Sequence, residues 1–208
     1  MGKNPCPRFM QPLRHNDSGP AVQQIQTALN FAGPTRLPRL PTDGTFGPLT
    51  VGRVMEFQFR NGLKPDGIVG PITNAKLPQD GPGDGQQPEA PTGRSILVNL
   101  FDRQLAAYEN GNVSLQISPV AGGRPGFVSS RGVFPMTSRR LREHSSSEFP
   151  SSGGKRNMDF SLFYYGGEAI HQGDPNTPSH GCIHVAPPYA ERLFDWAGST
   201  DIWVIVLR

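Results

Sequence analysis

Residues that could do chemistry are concentrated in one segment, HQGDPNTPSHGCIHV, which spans residues 171–185. The chain has five histidines and two cysteines, and this segment contains His171, His180, His184 and Cys182. Imidazole and thiol groups together form either a metal site or a cysteine nucleophile with its base. They also occur as inert core or surface residues. The segment therefore leaves three interpretations open.

Zinc binding is the first interpretation. His180, Cys182 and His184 alternate along the chain, so on a strand they would share one face, and His171 could complete a set of four ligands. Known structural sites pair their ligands through CxxC and HxxxH spacings, whereas here a glycine interrupts the alternation. The spacing therefore disfavours a metal.

Nucleophilic catalysis requires a thiolate, a base within hydrogen-bond reach and donors for an oxyanion. Gly181 would let a substrate carbonyl approach the backbone, with the amides of Gly181 and Cys182 free to point at it. Histidines on both sides offer a base and a group to hold it. Periodicity alone does not separate this interpretation from other cysteine and histidine chemistry.

Residues 94–208 consist of short apolar runs separated by turn residues. RSILVNL, QLAAYE, VSLQISPV, GVFPM, FSLFYY and DIWVIVLR are typical of strands, and PPYAERLFDWAG predicts one helix. The pattern therefore predicts a mostly β domain, either a sandwich or a barrel.

Three stretches of this domain resemble the L,D-transpeptidase (YkuD) catalytic domain family, and they occur in the family's order. SHGCIHV is similar to the [S/T]HGC motif, SSRGVFPM to the TPTGVFxI stretch, and MDFSLFYYGGEAIHQG to the MPYSMFFxGGxAIHG stretch. The resemblance covers most of residues 94–208. It implies a YkuD-like β-sandwich as the fold.

The resemblance also implies a catalytic set. Cys182 is the implied nucleophile and His171 the general base, while His180 holds the site in shape. The amides of Gly181 and Cys182 are implied to contribute to an oxyanion hole. Neither a metal nor an organic cofactor is implied.

A second set of residues is implied to contact substrate: Ser179, His184, Met158 and Phe163. Ser179 also helps to shape the site, and Met158 stands where the family has a methionine beside the substrate channel. Two features depart from the family pattern. The position two after the cysteine is usually Arg or Asn but is His184 here, and the interval between His171 and His180 is shorter than in many members. The departures leave substrate detail open.

The segment PQDGPGDGQQPEAPTG, residues 78–93, is nearly devoid of large apolar residues. Such a composition cannot bury enough surface to order itself. We predict that it is a flexible linker between two domains.

Residues 17–77 contain an internal repeat, in which DGTFGPLT and DGIVGPIT lie twenty-three residues apart and agree at five of eight positions. Helices are predicted over Pro20–Ala32 and Leu49–Arg60, with a third starting near Pro71. The predicted fold is a small all-α three-helix domain. SGPAVQQIQTALNFAG and DGTFGPLTVGRVMEFQFRNGLKPDGIVGPIT resemble the peptidoglycan-binding domain 1 module, so peptidoglycan binding is implied by resemblance.

Composition excludes several classes of protein. No apolar run approaches the length needed to span a bilayer, and the first residues contain no apolar signal-peptide core. The net charge is +3, without the basic run and interleaved aromatics of a nucleic-acid binder. We expect a monomer that spans no membrane and binds no nucleic acid.

The two resemblances imply one task on peptidoglycan stem peptides and glycan. The cysteine would attack the amide between the third and fourth stem residues, D-alanine would leave, and an amine from a second stem would resolve the thioester into a 3→3 cross-link. Water or a free D-amino acid are alternative acceptors, and a non-catalytic wall-binding protein is a further alternative. The implied location is the periplasm or cell wall, reached by an export route that this sequence does not display, with a toxin delivered into rival bacteria as one possibility.

Overall fold

The computed structural model describes residues 11–79 and 85–208. They form two compact units. The first contains the described residues up to Gly93 together with Tyr108–Asn112, and the second contains Arg94–Ala107 and Val113–Arg208. None of the helices in the described ranges combines the length and the apolar character that a membrane crossing needs.

Part of the predicted linker, residues 80–84, lies outside the described residues. In the described part, the Thr92 amide donates to Thr35 O at 2.8 Å, and the Arg39 guanidinium donates to Pro88 O at 2.6 Å. These bonds hold the end of the segment against the first unit. The flexibility of the segment stays a prediction.

Three helices build the first unit: α1 (Pro20–Asn30), α2 (Pro48–Arg60) and α3 (Pro71–Lys76). Each begins with proline, which suits the first turn because its missing N–H would have no intrahelical partner there. The apolar residues of α1 and α2 are buried, as their spacing predicts: Val22, Ile25, Leu29, Val51, Val54, Met55 and Phe57. The helical character predicted for this region is confirmed.

The first repeated turn is held by a buried glutamine of α1. The Gln26 amide nitrogen donates to Asp43 Oδ1 at 2.9 Å and to Thr45 O at 3.0 Å. Its Oε1 accepts the Gly44 N–H at 2.9 Å. One side chain thereby contacts three groups of the turn and supplies the acceptor for the buried Gly44 N–H.

The second repeated turn is held in the same way by Gln58 of α2. Its amide nitrogen donates to Asp66 Oδ1 and Ile68 O, both at 2.9 Å, and its Oε1 accepts the Gly67 N–H at 2.9 Å. The repeat is therefore a repeated helix-to-turn hydrogen-bond pattern, in which Gln26 and Gln58 are equivalent.

We expect Gln58→Met to destabilise the first unit. Methionine has a similar volume, but it leaves the buried Gly67 N–H without its acceptor, while Ile68 O keeps the Thr73 hydroxyl at 3.4 Å. Because a buried unsatisfied group costs about 1–3 kcal/mol, the free energy of unfolding should fall by roughly 2 kcal/mol. Denaturant unfolding of the whole chain, followed by its helical circular dichroism signal, measures this change. Gln24→Met, on the exposed face of α1, is the control, and equal losses in both variants would contradict the assignment.

Ten strands and one helix form the second unit. The strands are β1 (Arg94–Asn99), β2 (Gln104–Glu109), β3 (Asn112–Ile117), β4 (Val120–Ala121), β5 (Gly132–Pro135), β6 (Arg140–Leu141), β7 (Ser161–Tyr165), β8 (Glu168–Gln172), β9 (Ile183–Val185) and β10 (Ile202–Leu207), and the helix is α4 (Tyr189–Ala197).

These strands form two five-stranded sheets, in the orders β3–β2–β1–β10–β5 and β4–β9–β8–β7–β6. One hydrophobic core contains residues of both sheets and of α4, among them Val98, Val204, Ile170, Ile183 and Leu193. The mostly β, two-sheet architecture predicted for this region is confirmed.

The strands β8 and β9 are parallel neighbours, and residues 173–182 connect them. Their register pairs Ile170 with Ile183 and His171 with His184. Cys182, immediately before β9, is therefore brought next to β8. This pairing positions the residues discussed below.

Candidate active site

Cys182 is the last residue before β9, and its side chain is half-buried. Its Sγ lies 4.0 Å from Gly167 O. Burial raises the pKa of the Cys182 thiol, a hydrogen bond from the Ala169 backbone lowers it, and the Glu168 carboxylate raises it. Because the net shift is upward, the resting sulfur is a neutral thiol at pH 7.

His171 lies on β8 and is only 4% exposed. Its Nδ1 is 2.8 Å from Gln172 O. A carbonyl oxygen only accepts, so we assign the proton of the neutral ring to Nδ1, which leaves the lone pair on Nε2. Burial lowers the pKa of His171 to about 4, against the opposing effect of the Gln172 carbonyl. His171 is therefore a neutral base at pH 7.

The turn before Cys182 is closed by two serine hydroxyls. Ser179 Oγ accepts the Gly181 N–H at 3.0 Å and donates to Cys182 O at 2.5 Å. Ser129 Oγ donates to Gly181 O at 2.8 Å. Gly181 has φ +116°, a conformation that side chains with a Cβ rarely adopt. The turn is therefore fixed by a glycine and two buried hydroxyls.

This turn differs from one sequence-based expectation. The amide of Gly181 was expected to point freely at a substrate oxyanion, but it donates to Ser179 Oγ. The bond satisfies a buried N–H that would otherwise be unpaired. Gly181 could serve an oxyanion only by exchanging this partner.

His184 lies on β9, and its ring centroid is 5.0 Å from that of His171. Its Nδ1 is 2.9 Å from Thr177 O and 3.2 Å from Asp174 O. Both partners are carbonyl oxygens, so we assign Nδ1 as the donor. His184 thus ties the loop between β8 and β9 to the sheet.

His180 has different surroundings. Its ring stacks on Phe149, with centroids 4.0 Å apart and planes inclined by 14°, and it meets the edge of Phe127 at 5.0 Å. Its Nε2 is 2.7 Å from the Arg124 guanidinium. His180 therefore packs with Phe127 and Phe149 at the cavity wall, and Arg124 contacts its Nε2.

Met158 and Phe163 belong to one small buried cluster, against which Cys182 packs. Met158 also lines the cavity described below. Phe163 does not line it, and its ring instead faces the Arg139 guanidinium at 4.0 Å and the His144 ring at 5.6 Å. The structure therefore places Met158 at the cavity surface and Phe163 behind it.

Glu168 is a site residue that the sequence analysis did not single out. Its carboxylate accepts the Ser130 N–H at 2.9 Å, the Ser130 hydroxyl at 2.6 Å and the Tyr164 hydroxyl at 2.8 Å. An acidic residue within the apolar run YYGGEAI was the available signal, since a carboxylate in a buried strand needs partners.

These residues surround a cavity of about 1230 Å³. Six of the eight residues predicted for the site line it: Cys182, His171, His180, Ser179, His184 and Met158. In the two described ranges, no group of three or more His, Cys, Asp or Glu residues is placed to hold a metal ion. A neutral thiol and a neutral imidazole in one cavity can together perform acyl transfer.

Comparison with known proteins identifies relatives of both units. The model of the L,D-transpeptidase catalytic domain (YkuD) matches residues 93–206, and a model described as a peptidoglycan binding domain matches residues 18–77. An L,D-transpeptidase structure from Stackebrandtia nassauensis is similar with a TM-score of 0.50 and 20% identity, over 94% of this chain and 95% of that one. At that identity the likeness shows the fold alone.

Two curated relatives match shorter stretches. An uncharacterised protein of Kitasatospora aureofaciens is 48% identical over 69 residues, 31% of this chain and 53% of that protein. The zinc D-Ala-D-Ala carboxypeptidase of Streptomyces albus G is 41% identical over 75 residues, 36% of this chain and 29% of that enzyme. The chain spans about half the length, or less, of these curated relatives. Because the YkuD model covers more than half of the chain, the protein belongs to the family of the L,D-transpeptidase catalytic domain (YkuD).

Proposed function

We propose that this protein is a cysteine L,D-transpeptidase that cleaves a peptidoglycan stem peptide between its third and fourth residues and forms 3→3 cross-links. The observation that carries the proposal is the pair of Cys182 and His171 in one cavity, where the free lone pair of the histidine is on Nε2. The family match supports the reaction class. We infer action at the cell wall or in the periplasm, where this substrate lies.

Acylation starts from neutral groups. His171 Nε2 takes the thiol proton as Cys182 Sγ adds to the carbonyl carbon of the third stem residue. The Cys182 amide stabilises the oxyanion, and the Gly181 amide joins it after leaving Ser179 Oγ. Collapse breaks the C–N bond, His171 returns the proton to the departing D-alanine amine, and a thioester remains.

The second step determines the product. An amine of another stem peptide attacks the thioester carbon, the C–S bond breaks, and the sulfur regains its proton. Water in place of the amine would make the protein a carboxypeptidase, and a free D-amino acid would give exchange. Mass spectrometry of purified muropeptides separates the cross-linked dimer, the tripeptide and the exchanged tetrapeptide. A non-catalytic wall-binding protein would yield none of them.

Cys182→Ala should abolish turnover, because the attacking sulfur is gone. The rate of muropeptide conversion should fall by about 10³-fold or more, while the circular dichroism spectrum stays unchanged. Cys6→Ser is the control variant and should keep wild-type activity; Cys6 lies outside the described residues. Activity that survives in Cys182→Ala, or that a chelator removes from the wild type, would point to a metal mechanism instead.

The pKa shifts predict how the nucleophile responds to pH. Because the pKa of Cys182 is raised, its alkylation by iodoacetamide should keep accelerating from about pH 6 to about pH 10. Thioester formation needs neutral His171, whose pKa is about 4. The rate of thioester formation should therefore fall only when the pH drops to about that value. Rapid-quench mass spectrometry follows both reactions. An alkylation plateau that begins below neutrality would indicate a thiolate–imidazolium pair and overturn the neutral mechanism.

Removal of residues 1–77 should affect large substrates most. A wall-binding module raises the local concentration of the substrate and supplies no chemistry, so activity on intact sacculi should fall by about 10²-fold. Activity on short soluble muropeptides should stay near that of the full chain. Release of cross-linked products from the two substrates, measured side by side, makes the comparison. Equal losses on both would mean that the first unit shapes the active site.

A further inference from the structure

We propose that Glu168 binds the cationic amine of the acceptor and selects it over water, an inference that rests on the proposed transpeptidase function. Glu168 begins β8 and lines the same cavity as Cys182. A Cβ placed on Gly181 would lie 3.6 Å from Glu168 Cγ and 3.8 Å from its Cδ. The carboxylate therefore lies beside the residue that precedes the nucleophile.

Three donors fix the position of this carboxylate. The Ser130 amide and hydroxyl and the Tyr164 hydroxyl all donate to it. Burial, together with Glu168 itself, holds the pKa of Tyr164 well above its usual value, so the phenol stays protonated. The group is therefore preorganised, and little rotational freedom is lost when a ligand binds.

The negative charge of Glu168 has no cationic partner among its contacts in the described part of the chain. Its three hydrogen bonds all come from neutral groups. The Glu168 charge acts electrostatically on the Cys182 thiol, because it contributes to the raised pKa of that group. A carboxylate that is half-buried in the same cavity as Cys182 and bonded by neutral donors alone retains the capacity to attract a cation.

An acceptor amine provides that cation. A primary alkyl amine has a pKa of about 10.4, so it reaches the thioester as an ammonium ion. The bound ammonium ion first loses one proton to solvent, which frees its lone pair. The amine then attacks the thioester carbon, the C–N bond forms as the C–S bond breaks, and the second proton passes from the nitrogen to Cys182 through His171. Water is neutral and gains no such charge attraction, so Glu168 favours cross-linking over hydrolysis.

The test measures how the acyl-enzyme divides between nucleophiles. The thioester on Cys182 is formed with a soluble donor stem and then offered a stem tripeptide with a free side-chain amine, or hydroxylamine, which is largely uncharged at neutral pH. Glu168→Gln keeps the shape and can still accept the Tyr164 bond, but it removes the charge. Glu148→Gln removes a different acidic residue of the cavity wall and is the matched control.

We expect Glu168→Gln to lower the ratio of cross-linked to hydrolysed product about tenfold, the factor that loss of a charge-assisted hydrogen bond gives. Reaction with hydroxylamine should stay at the wild-type rate in the same variant. Glu148→Gln should behave as wild type, and Glu168→Asp should restore part of the selectivity. Equal losses with both nucleophiles would show a structural role, and an unchanged ratio would show no role; either result overturns the proposal.

A second measurement needs no variant. In the wild type, added salt should reduce the fraction of acyl-enzyme that reacts with the cationic acceptor and leave the hydroxylamine reaction unchanged. Salt screens the attraction between Glu168 and the ammonium ion, and hydroxylamine carries no such charge. The absence of this difference would also overturn the proposal. If the wild type forms no thioester, the transpeptidase function itself fails. If the thioester forms but its partitioning ignores charge, only the role of Glu168 fails.

Discussion

The candidate site depends on the parallel pairing of β8 and β9. A parallel ladder fixes which residues of the two strands face each other, and here it sets His171 opposite His184. Since side chains alternate across a sheet, a shift of one residue would move His171 to the opposite face of the sheet. The hydrogen bonds from His184 to the carbonyls of the connecting loop anchor that loop at this register. The residue that replaces the family's usual Arg or Asn is therefore part of the support of the site.

The electrostatics follow from this placement. Burial lowers the pKa of His171 to about 4 and raises that of Cys182, so both groups rest uncharged. A neutral pair avoids the desolvation of two buried ions, and in the proposed mechanism charge separates only as the sulfur attacks. Glu168 opposes the thiolate further, yet the same negative charge suits a cationic second substrate. In the proposed mechanism one carboxylate thus disfavours a charged resting thiolate and favours an amine acceptor.

Much of the fold and of the candidate site could be predicted from the sequence. The remaining features could not, because they depend on contacts between distant segments. Alternating apolar residues predicted the strands, and apolar residues at helical spacing after a proline predicted the helices. Both patterns are formed by residues that are close together in the sequence. The segment from His171 to Cys182 carried recognisable chemistry, and most of its residues do line one cavity. Ser129 and Glu168 were missed because Ser129 bonds to Gly181 and Glu168 to Ser130, partners that are far away in the sequence. Phe163 lies behind Met158 in the small cluster against which Cys182 packs, and its contact with substrate stays a prediction.

The two units share one device, a turn held by a buried polar side chain. In the first unit, Gln26 and Gln58 accept the amides of Gly44 and Gly67, and these turns join helices. In the second unit, Ser179 accepts the amide of Gly181, and this turn leads into Cys182. A glutamine side chain has both a carbonyl acceptor and an NH2 donor, so it can form hydrogen bonds with several groups of a turn at once. A serine has a single short hydroxyl, which both donates and accepts. The Gly181 N–H is held by a single acceptor, Ser179 Oγ, and the direction of that N–H is set by the peptide plane. In the proposed mechanism, this is the one hydrogen bond that the amide must give up in order to bind an oxyanion.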